Sequence, residues 1–180
     1  LLLDYYVVRK DISNGQSRFT LNFRDNDREN RECLRQYLSM LSVSTEFYIW
    51  LIPYMKQLLQ LPNDWQDASV ILQKLKDEDN MRRCKDGYPQ KLREEKYPNI
   101  DRYWFWRLDY YLWEQRTVHF NNEDRRIVDE YVFRTNRSIE HLHPQDESNN
   151  EVWNSDIING FGNLAMISQS FNSLQSNDNI

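Results

Sequence analysis

The chain is 180 residues long, 39% hydrophobic and 14% aromatic, with a formal net charge of -5. That much apolar material is ample for a real core in one medium or two small domains, and the negative sum argues against a uniformly basic nucleic-acid-binding surface. No apolar run reaches the roughly 18 residues of a membrane span. Leu1-Leu2-Leu3 lacks the basic flank and small-residue cleavage site of a signal peptide, so a cytoplasmic protein with no membrane partner is expected.

Taken in chain order, residues 1–24 read as a short apolar segment, a turn at Asn14-Gly15, and an alternating strand at Phe19-Thr20-Leu21-Asn22-Phe23. Residues 28–41 are helix-compatible, with Cys33, Leu34, Tyr37, Leu38 and Leu41 at spacings of three and four. Cys33 and Cys84, the two cysteines, form no C-x-x-C pair, so no disulfide framework or structural zinc is indicated and both are expected to be ordinary buried or half-buried thiols. Residues 45–61 form a strongly apolar helix that must kink at Pro53 or break into two pieces. Residues 64–79 open with a capping-type acid and put Ala68, Ile71, Leu72 and Leu75 on one face. Turns at Gly87-Tyr88-Pro89 and Tyr97-Pro98-Asn99 bracket a short basic link. Residues 101–115 form another helix, with Trp104, Leu108, Tyr111 and Leu112 as its expected buried stripe.

From residue 129 the pattern changes. Tyr131, Phe133 and Ile139 favour strand around the turn-prone Thr135-Asn136-Arg137, and an arm over 129–142 should deliver Glu140 and His141 to the edge of a cavity. Pro144 ends it, because proline cannot donate to a ladder. Residues 145–150 are a polar loop, 151–158 a short helix or turn, Asn159-Gly160-Phe161-Gly162 a bend, and 164–167 a second strand. Residues 168–176 then start a helix with Phe171 and Leu174 inward and Asn172 on another face. The class is α+β, predominantly α-helical. Residues 1–44 are an N-terminal segment, read as the tail of a missing upstream domain; 45–130 are a helical scaffold; 131–180 are a small module around one site. The chain starts in mid-pattern and stops with a helix under way, as a piece of a longer protein would.

The chemistry concentrates in that last module. Cutting a phosphodiester needs an activated water, and an imidazole with a pKa near about 6.5 suits the proton transfer; His141 is the expected general base. The phosphate and departing oxygen need a Lewis acid, and Mg²⁺ (or Mn²⁺) takes a few oxygen ligands while keeping waters; Glu140 and Asn172 could supply two. Neighbouring strand residues point to opposite faces, so Glu140 and His141 share a site only where the strand is frayed or bulged. Asn163 is expected to tie down the loop that holds the base. His143 reads as a solvated bystander or substrate contact, and a salt bridge to Arg137 is the bland alternative for Glu140. His119, with no motif around it, belongs on the surface. Upstream, residues 81–107 hold eight basic residues against four acidic, net +4, beside Tyr103-Trp104-Phe105-Trp106. Arg82, Arg83, Lys91 and Arg93, together with Arg137, are the expected phosphate contacts.

The string Ser138-Ile139-Glu140-His141-Leu142-His143-Pro144-Gln145, followed by Gly162-Asn163-Leu164, Asn172 and Ser176-Asn177, resembles the His-Me finger (HNH) nucleases. The likeness is nearest to the C-terminal nuclease domain of GmrSD-like modification-dependent restriction endonucleases. It covers about residues 137–177, and the aromatic helix around Leu108-Asp109-Tyr110-Tyr111-Leu112-Trp113-Glu114 also looks like the one preceding the finger in that family. The same acid-His string and Asn spacing look like the HNH domain of RNA-guided CRISPR nucleases. The resemblance implies a ββα-metal finger, a metal-dependent endonuclease acting on DNA, modified or plain, in a restriction or phage-defence protein, and a nucleotide-hydrolysing domain upstream in the full-length protein. Asn14-Gly15-Gln16-Ser17-Arg18 is similar to the Asp-Gly-Gln-Gln-Arg motif of that upstream domain, but Asn replaces the acid and Ser the second Gln. A hairpin turn is the better reading, and no nucleotide site is expected. The competing readings are a non-catalytic helical DNA-binding or assembly module with a relic finger, and an RNA-cleaving toxin using the same site.

Overall fold

The computed structural model describes residues 9–13, 16–20, 28–58, 68–84, 87–88, 90–135, 137–143 and 153–168. At the N-terminus β1 (Arg9–Ser13) and β2 (Gln16–Thr20) pair antiparallel from Arg9 opposite Thr20 to Ser13 opposite Gln16. That register leaves Asn14 and Gly15 as the two connecting residues, which lie outside the described residues, as do Leu21, Asn22 and Phe23. The strand expected at 19–23 begins earlier, at Gln16.

Three helices follow. In α1 (Arg28–Ser44) the expected stripe Cys33, Leu34, Tyr37, Leu38 and Leu41 is buried, and burial pushes the Cys33 thiol up to about 11, which leaves it an unreactive packing group. α2 (Phe47–Leu58) carries Pro53 inside and buries Trp50 and Tyr54. α3 (Ala68–Cys84) buries Ala68, Ile71, Leu72 and Leu75 as its spacing predicts, but Cys84, expected buried or half-buried, is exposed at its last position; Asp64, its expected capping acid, lies outside the described residues. These helices and α4 (Tyr103–Glu114) share one core. α1 falls within the segment 1–44 set apart in the sequence reading, yet its side chains stand at the centre of the scaffold. Two short helices, α5 (Arg116–His119) and α6 (Asn122–Asp129), come next, the second capped by Asn121 Oδ1 accepting from the amides of Glu123 and Asp124 at 2.8 and 2.9 Å.

α4 corrects the expected stripe. Tyr103, Phe105, Trp106, Tyr110 and Trp113 are buried, whereas Leu108 and Tyr111 are 41% and 50% exposed. Apart from Arg107, Asp109 and Glu114 every position of this helix is aromatic or leucine, so two faces compete, and polar ring ends decide between them. Tyr103 donates to Asp79, and Tyr110 donates to Glu114 at 2.9 Å, so both hydroxyls can be buried. Trp104 is half-buried, stacked on Tyr88 at 5.0 Å.

The expected strand over 129–142 also shortens. Asp129 ends α6, and β3 spans only Arg137–His141. The β-favouring residues before it pack on α4 instead. Tyr131 donates to Asp109 at 2.5 Å, Phe133 is buried in the scaffold core, and Trp106 Nε1 donates to the Arg134 carbonyl at 3.3 Å. β3 pairs antiparallel with β4 (Leu164–Ser168), from Arg137 opposite Ser168 to His141 opposite Leu164. Between them lie α7 (Ser155–Ile158) and a 3₁₀ turn at Phe161–Asn163. Ile139 and Leu164 join Ile100 and Phe105 in a second, smaller core, so α4 packs on both the scaffold and the hairpin. The fold is α+β and mostly helical, with a small two-stranded antiparallel sheet beside the candidate site. The helix expected at 168–176 lies outside the described residues.

Candidate active site

His141 is the last residue of β3 and shares a ladder face with Ile139, so its ring is carried at the end of the apolar side of the hairpin. Its Nε2 lies 3.1 Å from Asn159 Oδ1, and its ring meets Tyr97 edge-on with centroids 4.9 Å apart. Asn159 and Tyr97 come from separate segments that bind each other: Tyr97 N donates to the Asn159 carbonyl at 2.9 Å, beside a β-bridge between Lys96 and Gly160. Lys96 Nζ donates to the Asp156 carbonyl at 2.8 Å. A Cβ at position 160 would stand 3.0 Å from that same carbonyl, so glycine permits the close approach.

The chain bends just after His141, and Asn163 holds the bend. The Leu142 amide donates to the Asn163 carbonyl at 2.8 Å, continuing the ladder by one bond. The Asn163 side chain, 7% exposed, accepts from His143 N at 2.9 Å and donates to the carbonyls of His143 at 3.2 Å and Ile158 at 2.9 Å. One carboxamide therefore satisfies three backbone groups, of which the Ile158 carbonyl bond is buried and the two at His143 are partly buried. His143 stacks on Trp153 with ring centroids 4.1 Å apart, and a cleft of about 980 Å³ opens against the bend, with Gln90, Arg93, His143, Trp153 and Phe161 among its walls.

Glu140 lies opposite Ala165, and the register from Arg137 to His141 is unbroken. No bulge turns Glu140 and His141 onto one face, so they can meet only around the end of the ladder, where the chain bends. Asn172, the second expected oxygen ligand, lies outside the described residues. Among the described residues no group of three or more His, Cys, Asp or Glu side chains could hold a metal ion.

The basic residues divide into two sets. Arg82 pairs with the buried Asp79, and Arg83 bonds Asp101 at 3.0 Å while its guanidinium lies 3.6 Å from the centre of the Tyr103 ring. Both are occupied within the scaffold. Lys91 and Arg93 are exposed on a 3₁₀ turn at Gln90–Arg93, with Lys91 Nζ 5.3 Å from the Tyr88 ring centre and Arg93 at the cleft. Arg137 is half-buried, its Nη2 donating to the Val132 carbonyl at 3.3 Å. His119 is exposed, with its ring centroid 5.7 Å from that of Tyr111.

Asn159, Tyr97 and Trp153 were not singled out from the sequence. Asn159 stands 18 residues from His141 in a segment read only as a bend, and no local pattern announces that contact.

No helix among the described residues is long and apolar enough to cross a membrane. Residues 76–179 match the family model for the C-terminal domain of GmrSD restriction endonucleases. Neither a curated protein nor a solved structure matches the chain. The matched stretch covers more than half of the chain and contains α4, both strands of the β3–β4 hairpin, the His141–Asn159 contact and the Asn163 tie. The chain therefore belongs to the GmrSD restriction endonuclease C-terminal domain family, a family of nuclease domains that act in restriction.

Proposed function

We propose that this chain is a metal-dependent, HNH-type endonuclease module of a restriction or phage-defence protein, hydrolysing DNA phosphodiester bonds at the end of the β3–β4 hairpin. The observation that carries the reading is the holding of His141. An imidazole fixed by a hydrogen bond on one side and an aromatic edge on another, at the end of a strand, is preorganised for proton transfer. In this reading His141 takes the proton of the attacking water, and Asn163 keeps the bend in place.

Glu140 and Asn172 are the proposed ligands of Mg²⁺ or Mn²⁺. A carboxylate and a carboxamide are both hard oxygen donors, and an ion that retains several waters needs only one or two such groups from the protein, so a larger acidic cluster is not required. When bound, the ion would supply Lewis acidity at the phosphate and the departing oxygen. Lys91, Arg93 and Arg137 are the proposed backbone contacts, and the exposure of the first two favours them. The restriction-endonuclease family supports DNA as the substrate.

The test is nicking of supercoiled plasmid, carrying modified or plain bases, by the purified chain. Conversion to open circles in Mg²⁺ or Mn²⁺, its abolition by EDTA, and its loss in Glu140→Ala and Asn172→Ala with unchanged circular dichroism are expected. Undiminished cleavage in EDTA would refute the metal. Intact gel shifts with no cleavage of any DNA would favour a binding module, and faster cutting of RNA would favour a toxin.

A further inference from the structure

We infer that Asn159 is a positioning residue that selects the tautomer of His141, holding the ring proton on Nε2 and leaving Nδ1 as the nitrogen that receives a proton from water. This rests on the reading of His141 as the general base. The argument begins at the far end of the amide. Asn159 Nδ2 is 3.1 Å from the Ser155 carbonyl and 3.3 Å from Ser155 Oγ. A carbonyl can only accept, so the nitrogen of the Asn159 amide must face Ser155 and the oxygen must face His141. That oxygen, 3.1 Å from Nε2, can only accept in turn, so Nε2 carries a proton. In a neutral imidazole the other nitrogen then holds the lone pair.

Asn159 is itself held from several directions, which is what makes it a device and not an incidental contact. Asn154 Oδ1 caps the preceding turn by accepting from Asp156 N at 2.8 Å. The Asn159 carbonyl accepts from Tyr97 N, and Lys96 reaches over to the Asp156 carbonyl. The Tyr97 ring stands edge-on to the imidazole and restricts its swing. The same bridge therefore delivers both the acceptor that chooses the tautomer and the ring that limits rotation.

The test combines spectroscopy with single-turnover cleavage. Long-range ¹H–¹⁵N spectra of histidine-labelled chain, with the His141 signals assigned by their absence in His141→Ala, are expected to show the Nε2–H form. Asn159→Leu, which removes the acceptor at nearly constant volume, is expected to lose that preference and to cleave about 10- to 100-fold more slowly, with DNA half-saturation changed less than about twofold. Asn159→Asp keeps an acceptor toward Nε2 but sets its second oxygen against the Ser155 carbonyl, and is expected to keep the tautomer while recovering only part of the rate. A wild-type His141 in the Nδ1–H form would overturn the inference. So would an Asn159→Leu chain that keeps both tautomer and rate. If His141→Ala is inactive while Asn159→Leu cleaves normally, only this inference fails; if His141→Ala cleaves at the wild-type rate, it is the reading of the base that fails.

Discussion

The helical scaffold and the β3–β4 hairpin region each bury a polar side chain, but they use it differently. In the scaffold Asp79, 3% exposed, receives the hydroxyl of Tyr37 at 2.9 Å, the hydroxyl of Tyr103 and the guanidinium of Arg82. It ties α1, α3 and α4 together through side chains. Beside the hairpin Asn163 bonds backbone groups, those of His143 and Ile158. The first arrangement fixes how helices pack, and the second fixes the path of a bend. The contrast places helix packing under the scaffold's carboxylate and the path of the chain after His141 under the hairpin's carboxamide, beside the small core around Ile139 and Leu164.

Removing the scaffold tie should cost most. Asp79→Ala strands two buried phenol hydroxyls and takes the partner from the half-buried Arg82, and a loss of about 3–5 kcal/mol in urea unfolding is expected. A loss under about 1 kcal/mol would show that helix packing, and not this carboxylate, holds the scaffold. Asn163→Ala should lower stability by only about 1–3 kcal/mol yet reduce cleavage at least about tenfold, because the bend after His141 loses its support. Normal cleavage by that variant would erase the distinction between the two regions.

The arginines offer a subtler separation. Lys91→Ala and Arg93→Ala should each weaken DNA binding and reduce the slope of log affinity against log salt by about one, with melting unchanged. Arg83→Ala should instead lower the melting temperature with little effect on that slope, since its guanidinium already serves Asp101 and Tyr103. A reversed pattern would move the DNA-facing surface onto the scaffold.

The smallest effect concerns Asp109. Burial raises its carboxyl above the usual value of 3.8, outweighing the lowering by the Tyr131 hydroxyl and by Arg137. A carboxyl with a raised folded pKa binds its proton more tightly in the fold than in the unfolded chain. Its contribution is therefore full below about pH 3.8 and is lost as pH climbs through the raised folded value. Asp109→Asn should remove that part of the fall in stability with rising pH, measured as the difference between variant and wild-type unfolding curves. An unchanged pH profile would mean the carboxyl is not desolvated in solution.

Sequence periodicity carried the scaffold where one face was distinctly apolar. The stripes of α1 and α3 follow directly from spacings of three and four. It failed in α4, where aromatic residues on all sides made two faces equally good and only the partners of Tyr103 and Tyr110 settled the matter. Strand propensity likewise misassigned Tyr131 and Phe133, which the packing against α4 claims for a non-strand segment. Counting charge grouped Arg82 and Arg83 with Lys91 and Arg93. The Asp79–Arg82 pair lies three residues apart and could have been read locally, but Asp101 opposite Arg83 could not. At the site, the acid-histidine string falls at the end of β3, while Pro144, expected to end it, lies outside the described residues; Asn159 reaches His141 only through the fold.

The most direct test of the central claim is the single-turnover rate of DNA strand scission in Mg²⁺ for His141→Ala beside His119→Ala, both checked for wild-type melting. Loss of about 100-fold or more in the first, with the second within about twofold of wild type, is the predicted result. A His141→Ala chain that still cuts within about twofold of wild type would contradict the account.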